Sequence, residues 1–148
     1  MTAETTAAAI LARGVGRALA QLGYASLAEF PLANGRRADL LALGKNGELI
    51  IIEIKSSVAD FRSDRKWTSY RDFADRLYFA VPSEFPSLLI PEDCGLIVAD
   101  AFAASLIRDG SANTLAAGRR RAMTLRFALA AAARLRRHLD PQAGFADI

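Results

Sequence analysis

The chain has little of what most covalent or redox chemistry needs. Its 148 residues hold one cysteine, Cys94, and one histidine, His138. A lone cysteine excludes an internal disulfide and suits a reducing compartment. With no His or Asp motif beside it, Cys94 reads as a core thiol. His138 stands outside any motif, near the C-terminal end, and reads as inert. No uncharged apolar run approaches the ~20 residues of a membrane span. The longest alanine-rich piece, Phe127 to Ala133, is fenced by Arg126 and Arg134. The N-terminal residues carry Glu4 and no early basic residue, so no signal peptide is expected. The expectation is a cytoplasmic chain with no membrane association. Charge of one sign is also scarce, with 19 Lys and Arg against 16 Asp and Glu, a net +3. That balance permits a polyanionic partner without demanding one. Repeats, low-complexity linkers and domain boundaries are absent.

What is present is a globular composition, 52% hydrophobic and 24% charged. It fits one domain over residues 1–148, burying roughly two-thirds of the unfolded chain's surface. The basic residues cluster late, at Arg119-Arg120-Arg121 and at Arg134, Arg136 and Arg137.

The most informative stretch is Glu48-Leu49-Ile50-Ile51-Ile52-Glu53-Ile54-Lys55-Ser56-Ser57. A run this rich in isoleucine reads as a buried strand. Alternation puts Ile50, Ile52 and Ile54 on one face and Leu49, Ile51, Glu53 and Lys55 on the other. A carboxylate and an ammonium thus project side by side from the end of a core strand. Burial there is costly unless the groups are paired or bind an ion.

The surrounding elements follow from local patterns. Residues 5 to 22 carry a helical apolar stripe closed by Gly23. Strands are expected at Tyr24 to Leu32 and Arg36 to Leu43. Gly44-Lys45-Asn46-Gly47 is a turn signal, which makes residues 36 to 55 a hairpin. Asp60 to Arg76 has helical spacing, with Phe61, Trp67, Tyr70, Phe73, Ala74 and Leu77 on its apolar side. Leu77 to Val81 and Cys94 to Ala99 read as strands, with a short helix or turn at Ser83 to Leu89. Ala104 to Arg108 and Thr114 to Ala117 read as short strands. An Arg-rich helix from Arg119 to Leu139 closes the chain before Pro141. The expected class is mixed α/β.

Register decides what the hairpin can do. Gly47 suits the left-handed position of a three-residue loop, Lys45-Asn46-Gly47. That loop pairs Gly44 with Glu48, sets Leu41 opposite Ile51 and brings Asp39 opposite Glu53, with side chains ~5 Å apart. A two-residue Asn46-Gly47 loop would turn Asp39 to the other face. Facing carboxylates raise each other's pKa, and a hard divalent cation relieves the repulsion. A metal held by Asp39, Glu53 and the Ile54 carbonyl would keep positions for water and a phosphate oxygen. Lys55 beside it could orient the water or stabilise growing negative charge. These parts together point to metal-assisted phosphodiester hydrolysis.

The arrangement Asp-x13-Glu-x-Lys on a hairpin between two helices resembles the PD-(D/E)XK nuclease superfamily. Asp39, Glu53 and Lys55 match its acid, acid and lysine. Ala38 stands where a proline often precedes the aspartate. Lys66-x-x-x-Tyr70 stands where some members carry Gln-x-x-x-Tyr. The resemblance implies a restriction-endonuclease-like core, a central mixed sheet flanked by helices. It also implies Mg²⁺ or Mn²⁺ as cofactor and DNA as substrate, with Ser57, Arg65, Lys66 and Tyr70 as nucleic-acid contacts. Over nearly the whole chain, Gly35-Arg36-Arg37-Ala38-Asp39, Ile52 to Ser57, Asp60-Phe61-Arg62-x-Asp64-x-Lys66-Trp67-x-x-Tyr70 and Pro91-Glu92-Asp93-x-Gly95-Leu96 resemble the MmcB-type DNA repair proteins. That likeness implies a part in DNA repair, other repair proteins as partners and a homodimer as one arrangement.

Plainer readings stand beside these. Glu-x-Lys alone can be an exposed edge ion pair, worth ~0–1 kcal/mol. Glu4 reads as an ordinary acid at a helix N-terminus rather than a further catalytic one. Trp67 reads as core, and Tyr70 equally as core or as a stacking platform. Arg65 and Lys66 can be a solvated face or phosphate contacts. Arg119 to Arg121 reads as a solvated helix start. The alternative to a nuclease is a non-catalytic DNA- or partner-binding module of the same fold; a third is an interaction protein with no nucleic-acid role.

Overall fold

The computed structural model describes residues 6–142. Glu4 lies outside them. The first helix, α1 (Ala7–Gln21), begins where Thr6 Oγ1 accepts the Ala9 N–H at 3.1 Å, an N-cap bond. It stops at Gly23, whose φ of +90° is the left-handed state that glycine takes without strain. Six strands follow: β1 (Ala25–Pro31), β2 (Arg37–Leu43), β3 (Leu49–Ile54), β4 (Arg76–Val81), β5 (Gly95–Ala99) and β6 (Ala104–Arg108). They form one sheet in chain order. β3, β4 and β5 run parallel, and the other neighbours are antiparallel. β3 is central and every residue of it is buried, as its isoleucines require.

The period of two in β3 sorts the core into two layers. Ile50, Ile52 and Ile54 pack with Leu11, Val15 and Leu19 of α1 on one face. Leu49 and Ile51 lie on the other, with Phe79, Tyr70, Phe73 and the buried Met123, Phe127 and Ala130 of the last helix, α3 (Ala117–Leu139). The molecule is thus a single mixed α/β domain, a six-stranded sheet with helices on both faces.

The hairpin has the odd loop. Gly44 N–H donates to Glu48 O at 2.8 Å, Gly47 sits at φ +86°, and Leu41 pairs with Ile51.

Two expected elements differ. The helix expected over Asp60 to Arg76 is split into α2 (Val58–Ser63) and a 3-10 segment, Trp67–Phe73. The break falls at Asp64, which is extended at φ −87°, ψ 112°. Its Oδ1 accepts the Lys66 N–H at 2.8 Å, a local side-chain bond that competes with helix continuation. The strand expected at Thr114 to Ala117 does not form. Asn113, just before it, donates its N–H to Asp75 O at 2.7 Å, which ties the segment to the 3-10 region instead of a sheet edge. α3 then starts at Ala117. At Ser83 to Leu89 only a 3-10 turn, Ser87–Leu89, is found.

Candidate functional site

The ladder between β2 and β3 runs from Leu43↔Leu49 to Leu40↔Ile52. Beyond that point carboxylates take over. Asp39 Oδ2 accepts the Ile54 N–H at 2.8 Å, and Glu53 Oε1 accepts the Asp39 N–H at 3.0 Å. Each acid therefore caps the other's strand, and the bonds hold Asp39 and Glu53 together at the C-terminal end of β3. In open sheets with parallel strands, that end is where ligands sit.

The electrostatics are those of a crowded acid pair. Glu53 is only 3% exposed. Burial first, and then the Asp39 charge, push its pKa up to about 8. Burial likewise raises Asp39, against the Ile54 N–H and the charge of Lys55. Two buried carboxylates this close cannot both ionise freely, so the pair retains a proton near neutral pH. Such oxygen donors are the type that a hard divalent cation takes, with release of that proton. Among the described residues no group of three or more His, Cys, Asp or Glu is placed to hold a metal. A metal here would rest on these two acids and main-chain oxygen.

Lys55 is buried beside the pair, but its Nζ is bonded to Asp64 Oδ2 at 2.6 Å, with Asp60 Oδ1 at 3.9 Å. Burial works to raise the Asp64 pKa; the Lys55 bond, the Lys66 N–H and the lysine charge outweigh it and hold the carboxyl low. Asp64 was not expected in the site. Its signal lies in the helix break, because a helix through Asp64 would point it elsewhere.

The expected nucleic-acid contacts are placed unevenly. Tyr70 is buried and donates its hydroxyl to Arg37 O at 3.1 Å; burial first, then the charges of Glu53, Asp64 and Asp39, push its pKa up to about 12. Ser57 Oγ accepts the Asp60 N–H at 3.1 Å and caps α2. Arg65 and Lys66 are exposed. Trp67 is half-buried and meets Phe79 edge-on at 5.3 Å. At the start of α3, Arg119 stacks on Phe73 at 4.4 Å, and Arg120 is engaged by Asp75 and by Gly47 O. Cys94 is buried, and burial pushes its thiol up to about 11, which makes it a poor nucleophile.

A feature that the sequence pattern did not disclose lies on the other side of Asp39. The β1–β2 pairs Ala28↔Leu40 and Phe30↔Ala38 flank Glu29, which takes φ +49°. A left-handed non-glycine residue in a strand is strained by about 1–3 kcal/mol and has to be held by its surroundings. Arg134 of α3 does so, donating to Ala28 O at 2.6 Å and Glu29 O at 3.1 Å. Beside this junction opens a cleft of about 870 Å³ between α1, β1 and α3, with Asp39 and Ile54 on its wall.

The comparisons agree with this fold. No curated protein matches the chain. A solved protein of unknown function from Silicibacter pomeroyi is 41% identical and superposes with a TM-score of 0.92, covering 97% of this chain and 98% of that one. The family described as "DNA repair protein MmcB-like" matches residues 2–142. The chain therefore belongs to the MmcB-like DNA repair protein family.

Proposed function

We propose that this protein is a divalent-metal-dependent nuclease that cleaves phosphodiester bonds in DNA repair, with Asp39, Glu53 and Lys55 as its catalytic residues. One observation carries the reading: two acids from neighbouring strands are locked together at the C-terminal end of the central strand, with a buried lysine two residues on. Neutral side chains could accept the same strand N–H groups without the mutual repulsion of two facing carboxylates, so capping alone does not account for the pair.

Asp39 and Glu53, with the Ile54 carbonyl, supply oxygen ligands for Mg²⁺ or Mn²⁺. When bound, such an ion supplies Lewis acidity toward a phosphate oxygen and makes its water more acidic. The chain's own part is positional. The crossed bonds to Ile54 N–H and Asp39 N–H fix both carboxylates before any ligand arrives. Asp64 holds the Lys55 ammonium as a buried cation, ready to shift toward an incoming phosphate or its attacking water. Tyr70 anchors the 3-10 segment to β2 through Arg37 O and so keeps the wall near the acids in place.

The tie between Lys55 and Asp64 favours a second reading, a DNA-binding repair module that keeps the fold without cleavage. One assay separates the two. Purified protein is incubated with branched, nicked and single-stranded DNA plus Mn²⁺, beside Glu53→Ala and Lys55→Ala. Cleavage by the wild type and neither variant is the expected result. DNA binding with no cleavage in any metal, unchanged by Glu53→Ala, would move the conclusion to the binding module.

A further inference from the structure

Among the described residues, the cleft beside Asp39 is lined by more cations than acids. Arg13, Arg37, Arg126, Arg134 and Arg137 line it against two acids, Glu29 and Asp39. Among the described residues, the side chains of Arg13 and Arg126 have no hydrogen-bond or ion-pair partner. Arg37 and Glu29 are 3.9 Å apart with side chains 65% and 75% exposed, a pairing that water screens. Arg134 is bonded to two neutral carbonyls, and no carboxylate among the described residues pairs with it. Cations crowded into one cleft favour an anion between them, and among the described residues only Glu29 and Asp39 supply negative charge there.

The walls say which kind. Among the described residues no aromatic side chain lines the cleft, which offers bases no stacking platform from them. One wall is Ala8, Ala9 and Ala12 of α1, small enough for a backbone to approach closely. The other presents Arg126, Ala130, Arg134 and Arg137 along one face of α3. From Arg126 to Arg137 the helix rises about 16 Å, the span of roughly five phosphates at the 3.4 Å rise of one B-form strand. Asp39 lies on the wall of the same cleft.

We infer that this α1–α3 cleft is the track for the phosphodiester backbone of a DNA strand, gripped without base readout and led to the Asp39–Glu53 pair. The sequence pattern had pointed to Arg65 and Lys66 instead. The inference rests on the repair reading above for its choice of DNA, but not on cleavage.

The test is therefore binding in EDTA, without metal. Labelled single- and double-stranded oligonucleotides are titrated by fluorescence anisotropy over a range of KCl. Four proteins are compared: wild type, Arg13→Gln/Arg126→Gln, Arg13→Lys/Arg126→Lys and Arg65→Gln/Lys66→Gln. The cleft variant is expected to bind about 10- to 100-fold more weakly at low salt, with its log K against log salt slope reduced by about two, one per arginine. Arg13→Lys/Arg126→Lys restores the slope, because phosphate contact needs charge more than shape. Unchanged melting temperatures confirm that the variants are folded. A cleft variant with the wild-type slope overturns the track, whatever Arg65 and Lys66 do. No binding by the wild type at low salt overturns it too. Absence of cleavage in the metal assay, with these binding results intact, sinks the nuclease reading alone.

Discussion

The two ends of β3 are built from the same device and reach opposite electrostatic outcomes. At the N-terminal end, Asp75 Oδ2 accepts the Leu49 N–H at 2.8 Å and the same carboxylate is gripped by Arg120 of α3. Burial alone would raise the Asp75 pKa, but the Arg120 and Leu49 bonds overcome it and hold the carboxyl below its usual range. At the C-terminal end, Asp39 and Glu53 also accept strand N–H groups, yet each faces an acid instead of an arginine, and both pKa values are raised. The first end is a clasp that joins α3 to the sheet. The second sets two buried acids against each other, and both are pushed toward their protonated forms. A carboxylate on a strand N–H is thus common to both ends; what sets them apart is whether its second neighbour is an arginine or an acid.

The comparison can be broken by mutation. The largest expected effect is on DNA cleavage. On the proposed function, Asp39→Asn and Glu53→Ala are each expected to lower it by at least about 10³-fold, whereas Asp75→Asn stays within about threefold, since only the first two belong to the proposed catalytic set. Equal losses at both ends of β3 would mean that fold stability, not chemistry, sets the rate.

A smaller contrast is in pH dependence of folding, measured by urea denaturation in EDTA. The folded Glu53 pKa of about 8 lies above its ordinary 4.5. Its contribution is present in full below about pH 4.5 and is lost as pH rises through about 8. Asp75 has the opposite sign, because its lowered pKa gives stability above its ordinary 3.8 that is lost as pH falls through the folded value. Glu53→Gln keeps an acceptor for the Asp39 N–H and removes the titration. It is expected to gain on the wild type between pH 5 and 9, by on the order of a few kcal/mol at the upper end. A constant difference across that range would show that Glu53 titrates normally.

Arg120→Ala is expected to cost about 1–3 kcal/mol by leaving Asp75 and Gly47 O without a charged donor. The measurement is the urea midpoint at pH 7, and cleavage at saturating DNA should be unchanged. The smallest effect is assigned to Asp64→Asn. Releasing the Lys55 ammonium should change cleavage by no more than about tenfold while moving its pH profile, which a merely structural aspartate would not do.

Much of the positioning was legible because it depends on short periods. Alternation in β3 put Glu53 and Lys55 on one face, and the odd loop ending in Gly47 put Asp39 across from Glu53. Tyr70 was evenly balanced between core and contact, since helical spacing does not say what an aromatic hydroxyl will meet. The helix expected through Asp64 failed because one aspartate side chain can satisfy a nearby N–H as well as the helix can. Glu29 gave no signal at all. Nothing in Ala28-Glu29-Phe30 demands a positive φ, and the Arg134 that bonds its carbonyl lies more than a hundred residues later.

The sequence by itself determined the layers and the candidate acid–acid–lysine face, because apolar periodicity and turn chemistry act over a few residues. Only the tertiary structure decided where the remaining charges go. It sent Arg120 to Asp75, Lys55 to Asp64 and Arg134 to β1, and it left Arg13 and Arg126 facing a shared cleft. Long charged side chains are flexible and their partners lie far away in sequence. Their pairing is fixed by which elements the folded core brings together, and no local pattern carries that information.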